Sequence, residues 1–124
     1  MISSIKFIDT NLFVRRWDDQ KIEDFIDALN PEEYCTSVLV LIETYHKLQS
    51  RHFTENFDYI RSLMGVLTVF DIIQDDFFNA IKNPLDIDIN DRVHLAVMKR
   101  NNINTIISYD TDFDKEKSMV REEL

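Results

Sequence analysis

Glycine is nearly missing from these 124 residues, with Gly65 alone. A glycine-rich loop that cradles phosphate, of the dinucleotide or the P-loop kind, is therefore ruled out, and with it most nucleotide-dependent α/β enzymes. Cysteine is as scarce: Cys35 has no partner for an internal disulfide. No apolar run reaches the roughly 18 residues of a bilayer-spanning helix, and the first residues carry no signal-peptide pattern. These absences lead to the expectation of a cytoplasmic protein with no membrane association. Cations are outnumbered, 14 Lys and Arg against 23 Asp and Glu, for a formal net charge of −9. Loose electrostatic attachment to nucleic acid is poorly served by such a surface. Contact with RNA would need a local basic patch, or a bound metal that reverses the field locally.

What the chain does hold is core material. Hydrophobic residues make up 44% and nine are Phe. That suffices for one domain over residues 1–124, without disulfides. Ile5–Ile8 reads as a short buried strand ending at Asp9, and 11–16 as one or two helical turns. Asp18 or Asp19 is placed to cap a helix carrying Ile22, Phe25, Ile26 and Leu29 on one face, stopped by Asn30-Pro31. Tyr34–Thr36 reads as a second strand. Ser37 then caps a long helix to about Ser50, with Val38, Leu41, Ile42, Tyr45 and Leu48 as its inward stripe. A helix over about 54–63 turns Phe57, Ile60, Leu63 and Met64 inward. Val66–Phe70 is a strand, Ile73–Ile81 a helix ended by Asn83-Pro84, and Asp88 or Asn90 caps a helix to about Asn101. Thr105–Ser108 is a further strand, and a last one falls near Met119–Val120. Alternating strands and helices favour a mainly parallel sheet flanked by helices.

In such a fold the carboxyl ends of the strands share one edge. Four acidic positions fall near strand ends or helix starts along this chain: Asp9, Glu43, Asp91 and the Asp110/Asp112 pair. Each has an ordinary reading. Asp9 suits a helix N-cap. Glu43 suits a surface pair with Lys47 at i+4. Asp91 suits the dipole of a first helical turn. Asp112 and Asp114 suit a solvated turn. The other reading joins them. Glu43 follows five apolar residues, and a buried carboxylate must find a cation, a donor or a proton. Asp91 shares its helix face with Leu95 and Met98, which turns it inward. Acids gathered without a histidine or cysteine set point to a hard cation with oxygen ligands, Mg²⁺ or Mn²⁺. A calcium loop starting at Asp110 fails, because Lys115 and Arg121 stand where Gly and Glu are required. His46, His52 and His94 lack zinc spacing and are expected at or near the surface without a ligand role. A phosphorelay receiver domain also gathers acids at strand ends. It would need adjacent acids after the first strand and a Lys after a late one; Asp9 stands alone and no Lys follows Ser108.

The blocks Ile5-Lys-Phe-Ile-Asp-Thr-Asn11, Ser37 to Glu43, Asp91-Arg-Val-His-Leu-Ala96 and Ile106-Ile-Ser-Tyr-Asp-Thr-Asp-Phe113 together resemble the PIN domain family, in particular its small VapC-like toxin ribonucleases. The resemblance spans nearly the whole chain. It implies a three-layer sandwich and a Mg²⁺- or Mn²⁺-dependent endoribonuclease whose products carry a 5′-phosphate. It further implies that Asp9, Glu43, Asp91 and Asp110 surround the metal with Asp112 assisting, and that Thr10, Asn11 and Ser108 support them. An antitoxin protein whose tail covers the acidic groove and a homodimer are the implied partners. A non-catalytic PIN-like module that binds RNA or protein is the alternative. Arg15, Arg16, Lys47 and Arg51 are the cations nearest in sequence to Asp9 and Glu43, and so the candidates for meeting RNA.

Overall fold

A computed structural model describes residues 4–51 and 54–124. His52 lies outside the described residues. In chain order the elements are β1 (Lys6–Ile8), α1 (Thr10–Val14), α2 (Gln20–Asp27), β2 (Tyr34–Ser37), α3 (Val38–Ser50), α4 (Asn56–Val66), β3 (Thr68–Phe70), α5 (Gln74–Lys82), α6 (Ile89–Arg100), β4 (Thr105–Ile107), a 3₁₀ turn (Thr111–Lys115) and β5 (Val120–Glu122). Every strand and helix anticipated from the sequence is present, with ends shifted by a few residues at most.

The strands form one sheet in the order β3-β2-β1-β4-β5, and each neighbouring pair is parallel. Phe7 and Ile8 are adjacent in β1 and point to opposite faces, yet both are fully buried; Ile106 and Ile107 of β4 repeat the pattern. Buried on both faces, the central strands are the middle of a three-layer sandwich. The edge strands β3 and β5 are only partly covered.

Local chemistry fixes the helix starts. The Asp9 carboxylate accepts the Thr10 N–H, Asp19 accepts that of Lys21, and the Ser37 hydroxyl accepts that of Val40. Each relieves one of the unpaired donors at a helix N-terminus. At α5 the reach runs backward: the Asp76 carboxylate accepts the Ile73 N–H. Asp88 occupies the cap position of α6 without a side-chain cap bond.

The inward faces of two helices differ from the expected ones. On α3 the buried side chains are Val40, Leu41, Thr44 and Leu48, while Val38, Tyr45 and Ile42 are exposed, Ile42 at 59%. On α4 Tyr59 and Leu63 are buried with Asn56, while Phe57 (66% exposed) and Met64 face outward. Leu41 and Ile60 join Val38, Ile42, Tyr45 and Met64 in an apolar groove between α3 and α4.

One charged pair ties α5 to α6. Asp76 is 1% exposed and takes two hydrogen bonds of 2.9 Å from the Arg100 guanidinium, which also donates to the Asp71 carbonyl. Asp76→Ala is expected to lower unfolding free energy by about 2–3 kcal/mol in urea denaturation. That is below the usual cost of halving a buried pair because Arg100 keeps access to water.

Candidate metal centre

The strand order reverses at β1, with β2 on one side and β4 on the other. At such a switch the connections leave in opposite directions and open a crevice beyond the carboxyl ends. The residues leaving β1 and β4 are Asp9-Thr10-Asn11 and Ser108-Tyr109-Asp110. They meet at that point.

Ser108 is the link. Its buried hydroxyl donates to Asp9 Oδ2 at 2.6 Å and accepts the Asp110 N–H at 3.0 Å. The Asn11 amide donates to Asp9 Oδ2 at 3.3 Å and to Ser108 Oγ at 3.2 Å. With the Thr10 N–H on Oδ1, the Asp9 carboxylate is held from several directions. Asp9 thus caps α1 and also lines the crevice beyond β1 and β4. Asp110 also accepts the Asp112 N–H and starts the 3₁₀ turn.

Glu43 reaches the same crevice from the middle of α3. Thr10 Oγ1 donates to its Oε1 at 2.8 Å, Asn90 Nδ2 to its Oε2 at 3.0 Å, and His94 Nε2 lies 3.0 Å from Oε1. Burial by itself would raise the Glu43 pKa, but the His94, Thr10 and Asn90 contacts outweigh it and hold it below the usual carboxylate value. The alternative reading of Glu43, a surface pair with Lys47, gives way to these three donors.

Asp9, Thr10, Asn11, Glu43, Lys47, Asp88, Ile89, Asn90, Asp91 and Asp110 line one cleft of about 360 Å³. Carboxylate oxygens of Asp91, Asp110 and Asp112 approach within 4.8 Å of one another. Asp112 stands at the outer end of this group, 3.3 Å from Lys115. Asp91 is pushed up to about 7, first by burial and then by the negative charge of Asp9, Asp110 and Glu43, with His94 opposing. Crowded oxygens that make ionisation costly suit a hard divalent cation, which would remove that cost.

A family model for the PIN domain matches residues 6–117. The chain belongs to the PIN domain family. Solved structures agree on the fold. A toxin–antitoxin complex from Klebsiella pneumoniae superimposes with a TM-score of 0.74 at 17% identity, covering 96% of this chain and 99% of that one. VapBC2 from Rickettsia felis, bound to a promoter DNA fragment, gives 0.72 at 17% identity, covering 96% and 98%. The toxin VapC20 from Mycobacterium tuberculosis, described as cleaving the sarcin–ricin loop, gives 0.73 at 21%, covering 90% and 94%. No curated protein matches the chain.

Within this PIN domain one expectation fails. His94 is not near the surface: it is fully buried against the acids, its Nε2 3.0 Å from Glu43 and 4.0 Å from Asp9. Its spacing from Asp91, three residues and so nearly one helical turn, was the available signal. Of the four candidate cations, Lys47 lines the cleft. Arg16 pairs with Glu23 and Asp27, Arg51 with Asp18, and Arg15 lies over the Tyr109 ring at 4.7 Å. Of the two cap candidates for α6, Asp88 takes the cap position and Asn90 donates to Glu43.

Cys35 is buried in β2, and burial pushes its thiol up to about 12. That removes it from nucleophilic chemistry at neutral pH.

Proposed function

We propose that this PIN domain is a metal-dependent endoribonuclease and the toxin of a toxin–antitoxin pair. The observation that carries the reading is the single cleft lined by Asp9, Glu43, Asp91 and Asp110 at the sheet's switch point. Those four acids are the proposed holders of Mg²⁺ or Mn²⁺, with Asp112 assisting from the rim. When bound, the ion neutralises charge on the phosphodiester and activates a water for attack. The residues of the chain do the rest. Asn11 and Ser108 hold the Asp9 carboxylate, Ser108 anchors the Asp110 backbone and the Asp112 N–H holds the Asp110 carboxylate, so the oxygens are oriented before substrate arrives. Lys47 supplies positive charge at the cleft for a phosphate otherwise repelled by a surface of net charge −9. Water attacks phosphorus in line; the P–O3′ bond breaks, a proton passes to the 3′-oxygen, and the products carry a 5′-phosphate and a 3′-hydroxyl.

Partner binding finds support in apolar surface. Ile42, Tyr45 and Met64 are exposed along the α3/α4 groove, and Phe77, Phe78 and Ile81 on α5. Such surface suits protein partners, here an antitoxin and a second copy of the chain. A cytoplasmic location is part of this proposal; among the described residues no helix is long and apolar enough to cross a membrane.

The purified chain is expected to cut end-labelled RNA in Mn²⁺ or Mg²⁺, and to stop when EDTA is added. Absence of cleavage together with no calorimetric heat from Mn²⁺ would leave a non-catalytic binding module.

A further inference from the structure

His94 is expensive where it stands. The ring is fully buried, tilted against Phe7 at a centroid distance of 5.8 Å, and its Nδ1 has no hydrogen-bond partner among the described residues. An unpaired buried polar atom is costly, and an aliphatic side chain of similar size would avoid that cost. Packing alone therefore gives no account of it. The other nitrogen does: Nε2 meets Glu43 Oε1 at 3.0 Å. A carboxylate only accepts, so Nε2 carries the hydrogen.

The bond determines which Glu43 oxygen is free. Each carboxylate oxygen has two lone-pair sites. On Oε1 they are taken by Thr10 Oγ1 and His94 Nε2, whereas Oε2 receives Asn90 alone. From these contacts we propose that His94 is a positioning residue that locks the Glu43 carboxylate and leaves Oε2 as its one metal-ligating atom. The inference rests on the nuclease reading above and specifies how one acid of that site is set. His94 touches neither substrate nor ion; it acts through Glu43.

The test is Mn²⁺ binding, measured at one pH by calorimetry and by the electron paramagnetic resonance of free Mn²⁺, so that it does not depend on cleavage. His94→Leu is expected to weaken Mn²⁺ binding by about 10–100-fold, the usual loss when an orienting partner of a metal ligand is removed. His94→Gln, whose side-chain amide can donate from near the Nε2 position, is expected to keep affinity near wild type. On a Glu43→Gln background, adding His94→Leu is expected to change little, since the residue it positions is already lost. Unaltered affinity in His94→Leu, equal losses in the Leu and Gln variants, or the same loss on both backgrounds would each overturn the positioning role. If His94→Leu does not fold, His94→Met removes the donor with a more adaptable side chain and is read the same way. A wild-type protein that binds no Mn²⁺ overturns the metal site and this inference together. A wild type that binds, with a His94→Leu that binds equally well, overturns this inference alone.

Discussion

Asp9→Asn is expected to lower RNA cleavage at least about 100-fold, which is about 3 kcal/mol of lost transition-state stabilisation. The substitution keeps volume and shape. The remaining carbonyl oxygen can still accept the Thr10 N–H. The new amide would face Ser108 Oγ, which already accepts from Asn11 and Asp110, so the Asn11 contact must yield as the hydroxyl turns from donor to acceptor. The contact from Asn11 to Oδ2 is lost, and repulsion from neighbouring acids is relieved. The two effects oppose each other, so thermal stability is expected to stay within about 1 kcal/mol of wild type, or to rise slightly. Cleavage of labelled RNA and a thermal melt on the same preparation check both. Equal cleavage by the two proteins, each purified away from contaminating nuclease, would remove Asp9 from the mechanism.

Asp91→Asn is expected to move stability and metal affinity in opposite directions. The folded protein holds a proton on Asp91 up to about pH 7, against an ordinary value of 3.8. Its contribution to stability is therefore complete below about pH 4 and is lost as pH rises through about 7. His94, raised above its usual 6.5, acts in the same sense at the upper end: burial opposes its charge, but Glu43, Asp9 and Asp91 outweigh burial. Glu43, held below 4.5, acts in the other sense and matters only toward acid. Metal-free wild type is thus expected to lose stability from about pH 4.5 to above 7. At pH 8 Asp91→Asn should be more stable by about 1–2 kcal/mol, a figure discounted because the carboxyl is only half-buried and water screens it. Near pH 4 the gain should vanish. If Asp91 holds the ion as proposed, the same variant should bind Mn²⁺ at least about tenfold more weakly, as the amide keeps one oxygen but not the negative charge. Wild type should also release protons on binding Mn²⁺ near pH 7, since the ion displaces the proton Asp91 holds. Urea denaturation across pH with EDTA, and calorimetry in buffers of different ionisation enthalpy, read these effects. A pH-independent difference between the two proteins would argue that Asp91 is not strained by its neighbours.

Local pattern carried a long way in this chain. Ser37 as a cap, the strand at Thr105 and the break at Asn83-Pro84 depend on residues close in sequence, and each is found where expected. The acids were legible for a related reason: Asp9, Asp91 and Asp110 sit at ends of elements, and in a parallel sheet those ends share an edge. The α3 face was not legible. Val38-Leu-Val-Leu-Ile is apolar around more than one side, so periodicity allows several inward directions. Contact with α1, α4 and α6 selects Val40, Leu41, Thr44 and Leu48 and leaves Ile42 outside. The burial of His94 against Glu43 is not legible either, because its apolar run, Val93 to Met98, says nothing about a carboxylate arriving from α3.

The succession of strands and helices, the buried character of the middle strands and the residue types that gather at one edge all follow from neighbours within a few positions and from the chirality of parallel crossovers. Long-range packing alone brings His94 and Asn90 to the two oxygens of Glu43, couples Asp9 to Asp110 through Ser108, and puts Lys47 in the cleft while Arg16 and Arg51 pair with acids. Those outcomes depend on ångström-scale distances between segments tens of residues apart, where a rotation of one helix by a single position would exchange every partner.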